Sequence, residues 1–173
     1  MSDRGMAMLR SVLPIPVIGA GKASMLYALT LGSQFSVFAQ WAPALPRYCT
    51  AIREYGFERQ CASVGSFDQP PDFLNLLGGK EDAVFPRMHD VAMRCVEEDR
   101  AEVICLGATT MHQAGMYLAD RLPVSVVNPG PLRCKPVEVL LARGLCHGPD
   151  AYAPPVQPRL NVLRAMMRAA AGL

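Results

Sequence analysis

The chain has 173 residues, enough for one good-sized core or two small lobes, and 51% hydrophobic against 18% charged residues excludes a disordered chain. A formal net charge of +2, with scattered rather than clustered arginines, argues against nucleic acid as a partner, and an aromatic fraction of 7% argues against base-stacking platforms.

Taken in chain order, Leu13-Pro-Ile-Pro-Val-Ile18 reads as a short buried strand with prolines at its start. Gly19-Ala-Gly21 turns it into a helix from about Lys22 to Leu31, ended by Gly32. Gln34 to Gln40 alternates as a second strand, and Ala42 to Tyr55 reads as a helix with Pro43 in its first turn and Gly56 at its close. Cys61 to Ser66 is a weak strand, and Asp68 to Gly79 is a loop rich in Pro, Asp and Gly. In the next helix Val84, Met88, Val91, Ala92 and Cys95 fall on one stripe at helical spacing. Val103 to Leu106 is a continuous apolar strand, followed by a helix to about Leu122, a strand Val124 to Val127, the loop Asn128-Pro-Gly-Pro131, and a helix closing at Gly144. From His147 to Pro158 the chain is a Pro-rich arm, and Arg159 to Ala171 is a short basic amphipathic helix. This β-α alternation, with mostly continuous apolar strands, predicts an α/β fold: a parallel sheet with helices on both faces.

One internal echo stands out. Leu13-Pro-Ile-Pro-Val-Ile-Gly-Ala-Gly21 and Leu122-Pro-Val-Ser-Val-Val-Asn-Pro-Gly130 are each a strand, a tight glycine loop and the start of a helix. Either any α/β chain repeats such units, or two related half-molecules face each other across a cleft.

The six cysteines, Cys49, Cys61, Cys95, Cys105, Cys134 and Cys146, are irregularly spaced and form no CxxC, so they read as reduced thiols of a cytoplasmic protein. The apolar stretch Val12 to Ala20 is short and broken by Pro14 and Pro16, and no segment has the length of a membrane span, so neither a signal peptide nor a membrane partner is expected. Gly19-Ala-Gly21-Lys22 is not a nucleotide loop. Ala23 stands where a P-loop needs Ser or Thr, Val17 where it needs glycine, and Ser24 where the dinucleotide fingerprint needs its third glycine. No His/Cys/Asp group has metal spacing and there is no GxSxG.

The remaining candidate is the junction after the Val103–Leu106 strand. Gly107, Ala108, Thr109 and Thr110 lead into a helix, whose first-turn N–H groups are unpaired and whose dipole is positive there. Ligands in open parallel sheets bind outside the carboxyl ends of the strands. Thr109, Thr110, Asn128 and His112 are therefore the candidate binding residues for a small carboxylate or amide ligand. The threonines either bind that ligand or cap the helix. His112 faces either the cleft or solvent.

The order of these pieces resembles the aspartate/glutamate/hydantoin racemase superfamily, most closely its hydantoin racemase-like branch, over Ser2 to about Gly144. The family's "VPVIGI…A" strand-loop-helix looks like Ile15 to Ala23, its "FSV" strand like Phe35-Ser-Val37, and its "P-R-h…R-x-Y-G" helix like Pro46-Arg47 through Arg53-Glu-Tyr-Gly56. Its "D-G-A-E-V-I-h-L-G-C" run looks like Asp99 to Ala108, and its "V-P-V-h-D-G" like Leu122 to Asn128. Such a resemblance implies two pseudo-symmetric lobes, a substrate cleft between them, no cofactor, homo-oligomeric assembly, and two thiols facing each other across the substrate α-carbon. This chain departs from the pattern twice. Ala108 occupies the second thiol's position, and Met1-Ser-Asp-Arg-Gly-Met6 looks like the family's "C-F-x-D-x-G-L" segment beginning just after its cysteine. Cys105 lies three residues before Ala108, inside a strand, and is expected to be core. No catalytic residue is therefore expected to be retained.

The resemblance divides the chain into residues 1–31, the remnant of a first lobe that is largely missing; 32–122, the second lobe; 123–146, a strand and helix returning toward the first lobe; and 147–173, the arm and last helix. It makes Met1 an internal methionine, from a misplaced start or a shortened gene. The function implied is that of a cofactor-independent racemase or epimerase relative acting on a small amino-acid-like or hydantoin-like carbon acid, impaired by loss of both thiols. A non-catalytic carboxylate-binding relative and a decayed fragment are the alternatives.

Overall fold

The computed structural model describes residues 3–70, 72, 78–132, 134–148, 150–153 and 160–170. In chain order the elements are α1 (Met6–Val12), α2 (Ala20–Leu31), β1 (Phe35–Ala39), α3 (Leu45–Tyr55), β2 (Cys61–Ser66), α4 (Glu81–Glu97), β3 (Val103–Leu106), α5 (His112–Ala119), β4 (Ser125–Val127), α6 (Pro129–Leu132), α7 (Cys134–Ala142) and α8 (Leu160–Ala170). Single 3₁₀ turns, Ala42–Ala44 and Thr109–Met111, lead into α3 and α5. The sheet is four-stranded in the order β2-β1-β3-β4, and every pairing is parallel.

Alternation along the buried strands sends side chains to two separate cores. Phe35, Val37, Ala39, Val103 and Cys105 pack with Met25 and Ala28 of α2 and Tyr48 and Ile52 of α3. Phe38, Ile104 and Leu106 pack on the other face with Val84, Met88 and Ala92 of α4 and Ala114 and Leu118 of α5. The expected α/β sandwich is therefore the observed one, and the five-residue stripe of α4 is buried as its spacing requires. A buried serine is reconciled with the core by a half-buried one: Ser36 Oγ and Ser63 Oγ lie 2.7 Å apart across β1 and β2 and satisfy each other. At the close of α3, Gly56 takes φ 76°, and Phe57 N donates back to Ile52 O at 3.0 Å.

The start of the sheet is tied by Glu102. Its Oε2 accepts from Ser33 N at 2.6 Å and Ser33 Oγ at 3.0 Å, and its own N donates to Gln34 O at 2.9 Å. These contacts lock the entry of β1 to that of β3.

Two expectations are corrected. Residues 13–18 are not a strand. Pro14 and Pro16 supply no N–H, and among the described strands none pairs with this segment. Side chains satisfy Val17 instead: its N donates to His147 Nε2 at 2.8 Å and its O accepts from Arg10 Nε at 3.0 Å. Residues 129–132 are a short helix rather than a loop, with Pro129 at its first position. On the α2 side of the sheet, Met25 and Ala28 belong to the core beneath β1 and β3. At the sheet's other end β4 pairs directly with β3. The loop and arm expected over 68–79 and 147–158 lie partly outside the described residues. Among those described, no helix is long and apolar enough to cross a membrane.

The Glu102 contacts are hydrogen bonds to its ionised form, chiefly from Ser33 and then Gln34, and they hold its carboxyl below the usual range. Stability from a depressed carboxyl is in place above its unfolded-state pKa and is lost as pH falls through the folded-state value. Glu102→Gln should therefore lower the urea midpoint at neutral pH, and the gap from the unaltered chain should close on acidification. Parallel midpoints across the acid range would contradict this.

Candidate functional site

The sheet order places a topological switch between β1 and β3. The chain leaves β1 toward β2 and leaves β3 toward β4, so the connections diverge at the carboxyl ends of two neighbouring strands. Gly107 closes that gap. Its N donates to Phe38 O at 2.8 Å, and its O accepts from the Tyr48 hydroxyl at 2.8 Å. A Cβ at Gly107 would lie 2.7 Å from Phe38 O and 3.1 Å from the Tyr48 ring, so only glycine fits. Burial pushes the Tyr48 phenol up, partly offset by Arg47, which keeps Tyr48 the donor in this pair.

Ala108 follows in extended conformation (φ −144°, ψ 147°), half-buried, its methyl against the α4–α5 core. Thr109 and Thr110 open the 3₁₀ turn, and both are half-buried. Neither caps the turn or α5 through its side chain. The capping alternative is thus not realised, and the opening amides beside Ala108 have no side-chain partner there.

His112 starts α5 and is exposed. Asn128, at the end of β4, is brought beside it: Nδ2 donates to His112 O at 3.1 Å, and Oδ1 accepts from Gly130 N at 3.2 Å. Its carboxamide therefore clamps the start of α5 to the start of α6. Gly115 makes room for it, since a Cβ there would lie 2.4 Å from Asn128 Nδ2. The four candidates thus share one rim, with the threonines ahead of a clamp built from Asn128.

Sequence reasoning missed the carboxylate that fills the Gly19-Ala-Gly21 loop. Asp3 Oδ1 accepts from Gly21 N and Oδ2 from Lys22 N, each at 2.8 Å, and Oδ2 also accepts from the Tyr55 hydroxyl at 2.8 Å. A Cβ at Gly19 would lie 2.3 Å from the Asp3 carboxyl carbon. The loop is built to take an anion at a helix opening, and the chain supplies its own. Burial, then the bond to Asp3, pushes the Tyr55 phenol up and keeps it a donor. Tyr48, Gly115 and Asp3 left no local signal, because each acts on a segment distant in sequence.

Cys105 is a core residue, as its place inside β3 led one to expect. It is fully buried, its Sγ lies 3.8 Å from Ser24 O, and burial pushes the thiol far up. Cys61 is pushed up to about 11, chiefly by burial. Among the described residues no group of three His, Cys, Asp or Glu side chains is placed to hold a metal ion.

Two outcomes test this site. Gly19→Ala should cost about 1–3 kcal/mol by displacing Asp3, and most of that cost should vanish in an Asp3→Ala background, read as a double-mutant cycle in urea. Additive losses would mean that the loop and Asp3 are uncoupled. Iodoacetamide at neutral pH should label the exposed Cys49, Cys134 and Cys146 and reach Cys105 only after unfolding. Native labelling of Cys105, read by peptide mass, would contradict its burial.

Comparison with known proteins agrees with this fold. The chain is 30% identical to a hydantoin racemase of Rhizobium meliloti over 146 residues, which is 82% of this chain and 58% of that protein. Its fold matches an allantoin racemase from Klebsiella pneumoniae with a TM-score of 0.77 at 27% identity, covering 88% of this chain and 62% of that one. It also matches an allantoin racemase from Pseudomonas fluorescens with a TM-score of 0.80 at 27% identity, covering 90% and 66%. The chain thus spans about 58% of the length of that curated relative. With the family profile matched over residues 1–135, the chain belongs to the Asp/Glu/Hydantoin racemase family.

Proposed function

We propose that the chain binds a small hydantoin-like or amino-acid-like carbon acid at the carboxyl end of β3, without a cofactor, and does not racemise it by the two-thiol route. One observation carries this reading: Ala108 stands at the end of β3, beside the uncapped opening of the Thr109–Met111 turn. The opening amides and the two threonine hydroxyls suit a carboxylate or a ring carbonyl, since unpaired N–H groups and the positive end of a helix favour negative charge. Racemisation needs a group that takes the α-proton from one face and another that returns it to the opposite face. A methyl at position 108 does neither, and Cys105 is sealed in the core.

The reading is tested in D₂O with each enantiomer of a 5-substituted hydantoin. The unaltered chain should gain thermal stability with the compound and leave its α-proton signal intact. Ala108→Cys should introduce α-deuterium into one enantiomer only. Racemisation by the unaltered chain, or no exchange with Ala108→Cys despite retained binding, would overturn the proposal.

A further inference from the structure

A second site lies apart from the β3 rim, where α1, α2 and α3 enclose a cleft of about 450 Å³. That size falls in the range of small-ligand pockets. None of Ala108, Thr109, Thr110, His112 or Asn128 lines it.

Four cationic side chains converge on this cleft from three elements: Arg4 and Arg10 at and within α1, Lys22 in the first turn of α2, and Arg47 in α3. Its acids are Asp3 and Glu54. The Asp3 carboxylate is engaged by Gly21 N, Lys22 N and the Tyr55 hydroxyl, so it serves the α2 opening. Arg10 is held by neutral oxygens, Val17 O at 3.0 Å and the Tyr152 hydroxyl at 3.2 Å, and among the described residues it forms no ion pair. Lys22 Nζ lies 5.9 Å from the centre of the Tyr55 ring. Among the described residues, Arg4, Lys22 and Arg47 form no ion pair. Met6, Ala7 and Ala51 supply apolar lining between the charges.

Four cations against two carboxylates, one of them already engaged at the α2 opening, leave the cleft with an excess of positive charge. That excess over an apolar lining matches an occupant with at least two negative charges on a short carbon skeleton. Guanidinium groups suit both carboxylate and phosphate oxygens. We propose that the cleft between α1, α2 and α3 binds a small organic dianion, either a phosphate monoester or a dicarboxylate. This site is independent of the carbon-acid reading at β3.

Calorimetric titration of the full chain at low salt, with glycerol phosphate, succinate and acetate as probes, tests it. One of the two dianions should bind saturably, and which one does so assigns the phosphate or the dicarboxylate class. Acetate should bind at least about tenfold more weakly. Arg4→Glu and Arg47→Glu should each weaken the dianion about tenfold or more. Arg94→Glu, on the opposite face of the sheet, should leave it unchanged, as should added hydantoin. Added salt should weaken binding. No saturable binding of either dianion below about 10 mM, or equal affinity in correctly folded Arg4 and Arg47 variants, would overturn the proposal without touching the Ala108→Cys test.

Discussion

The contact between Gly107 and the end of β1 is the constraint on which the rest of the molecule turns. Two parallel strands end side by side, their connections leave in opposite directions, and the backbone must cross the gap without a side chain. The Gly107 N–H joins Phe38, and its carbonyl takes the Tyr48 hydroxyl, so one residue fixes β1, β3 and α3 together. The direction of everything that follows, including the extended Ala108 and the turn at Thr109, is inherited from that junction. The site is therefore a product of sheet order first and of side-chain chemistry second.

The chain has two helix openings of contrasting use. At α2 the unpaired amides are taken by an internal carboxylate, so the sequence that most resembled a phosphate loop is occupied from within. At the Thr109 turn no side chain among the described residues caps the opening. The same backbone physics thus serves as a structural cap in one place and as an open rim in the other. Only the position of one aspartate separates the two outcomes.

Most of the sheet and its helices were legible in the sequence because their signal is local. The apolar run Val103–Leu106, the stripe from Val84 to Cys95, and Gly56 at the close of α3 each declare an element within a few residues. Residues 13–18 misled for a physical reason: the apolar pattern of a strand is intrinsic, but a strand exists only when another offers its ladder. The end of β3 at Leu106 and the turn that opens at Thr109 were legible as a junction of strand and helix. What the sequence could not reveal was the use of each polar group. The Asn128 carboxamide turned inward to join α5 and α6, and the Asp3 carboxylate reached the Gly19 loop, both through bonds between distant segments.

The fit of Asn128 over Gly115 has a consequence for how relatives of this chain are sorted. With 2.4 Å between the amide nitrogen and an imagined Cβ, no side chain can be added at Gly115 while the Asn128 carboxamide stays where it is. A lineage that places any larger residue on that turn of α5 must give up the bridging carboxamide, and with it the means by which the last strand aims the rim. This glycine and asparagine form a two-letter signature of rim architecture, readable in a bare sequence whether or not a thiol is present.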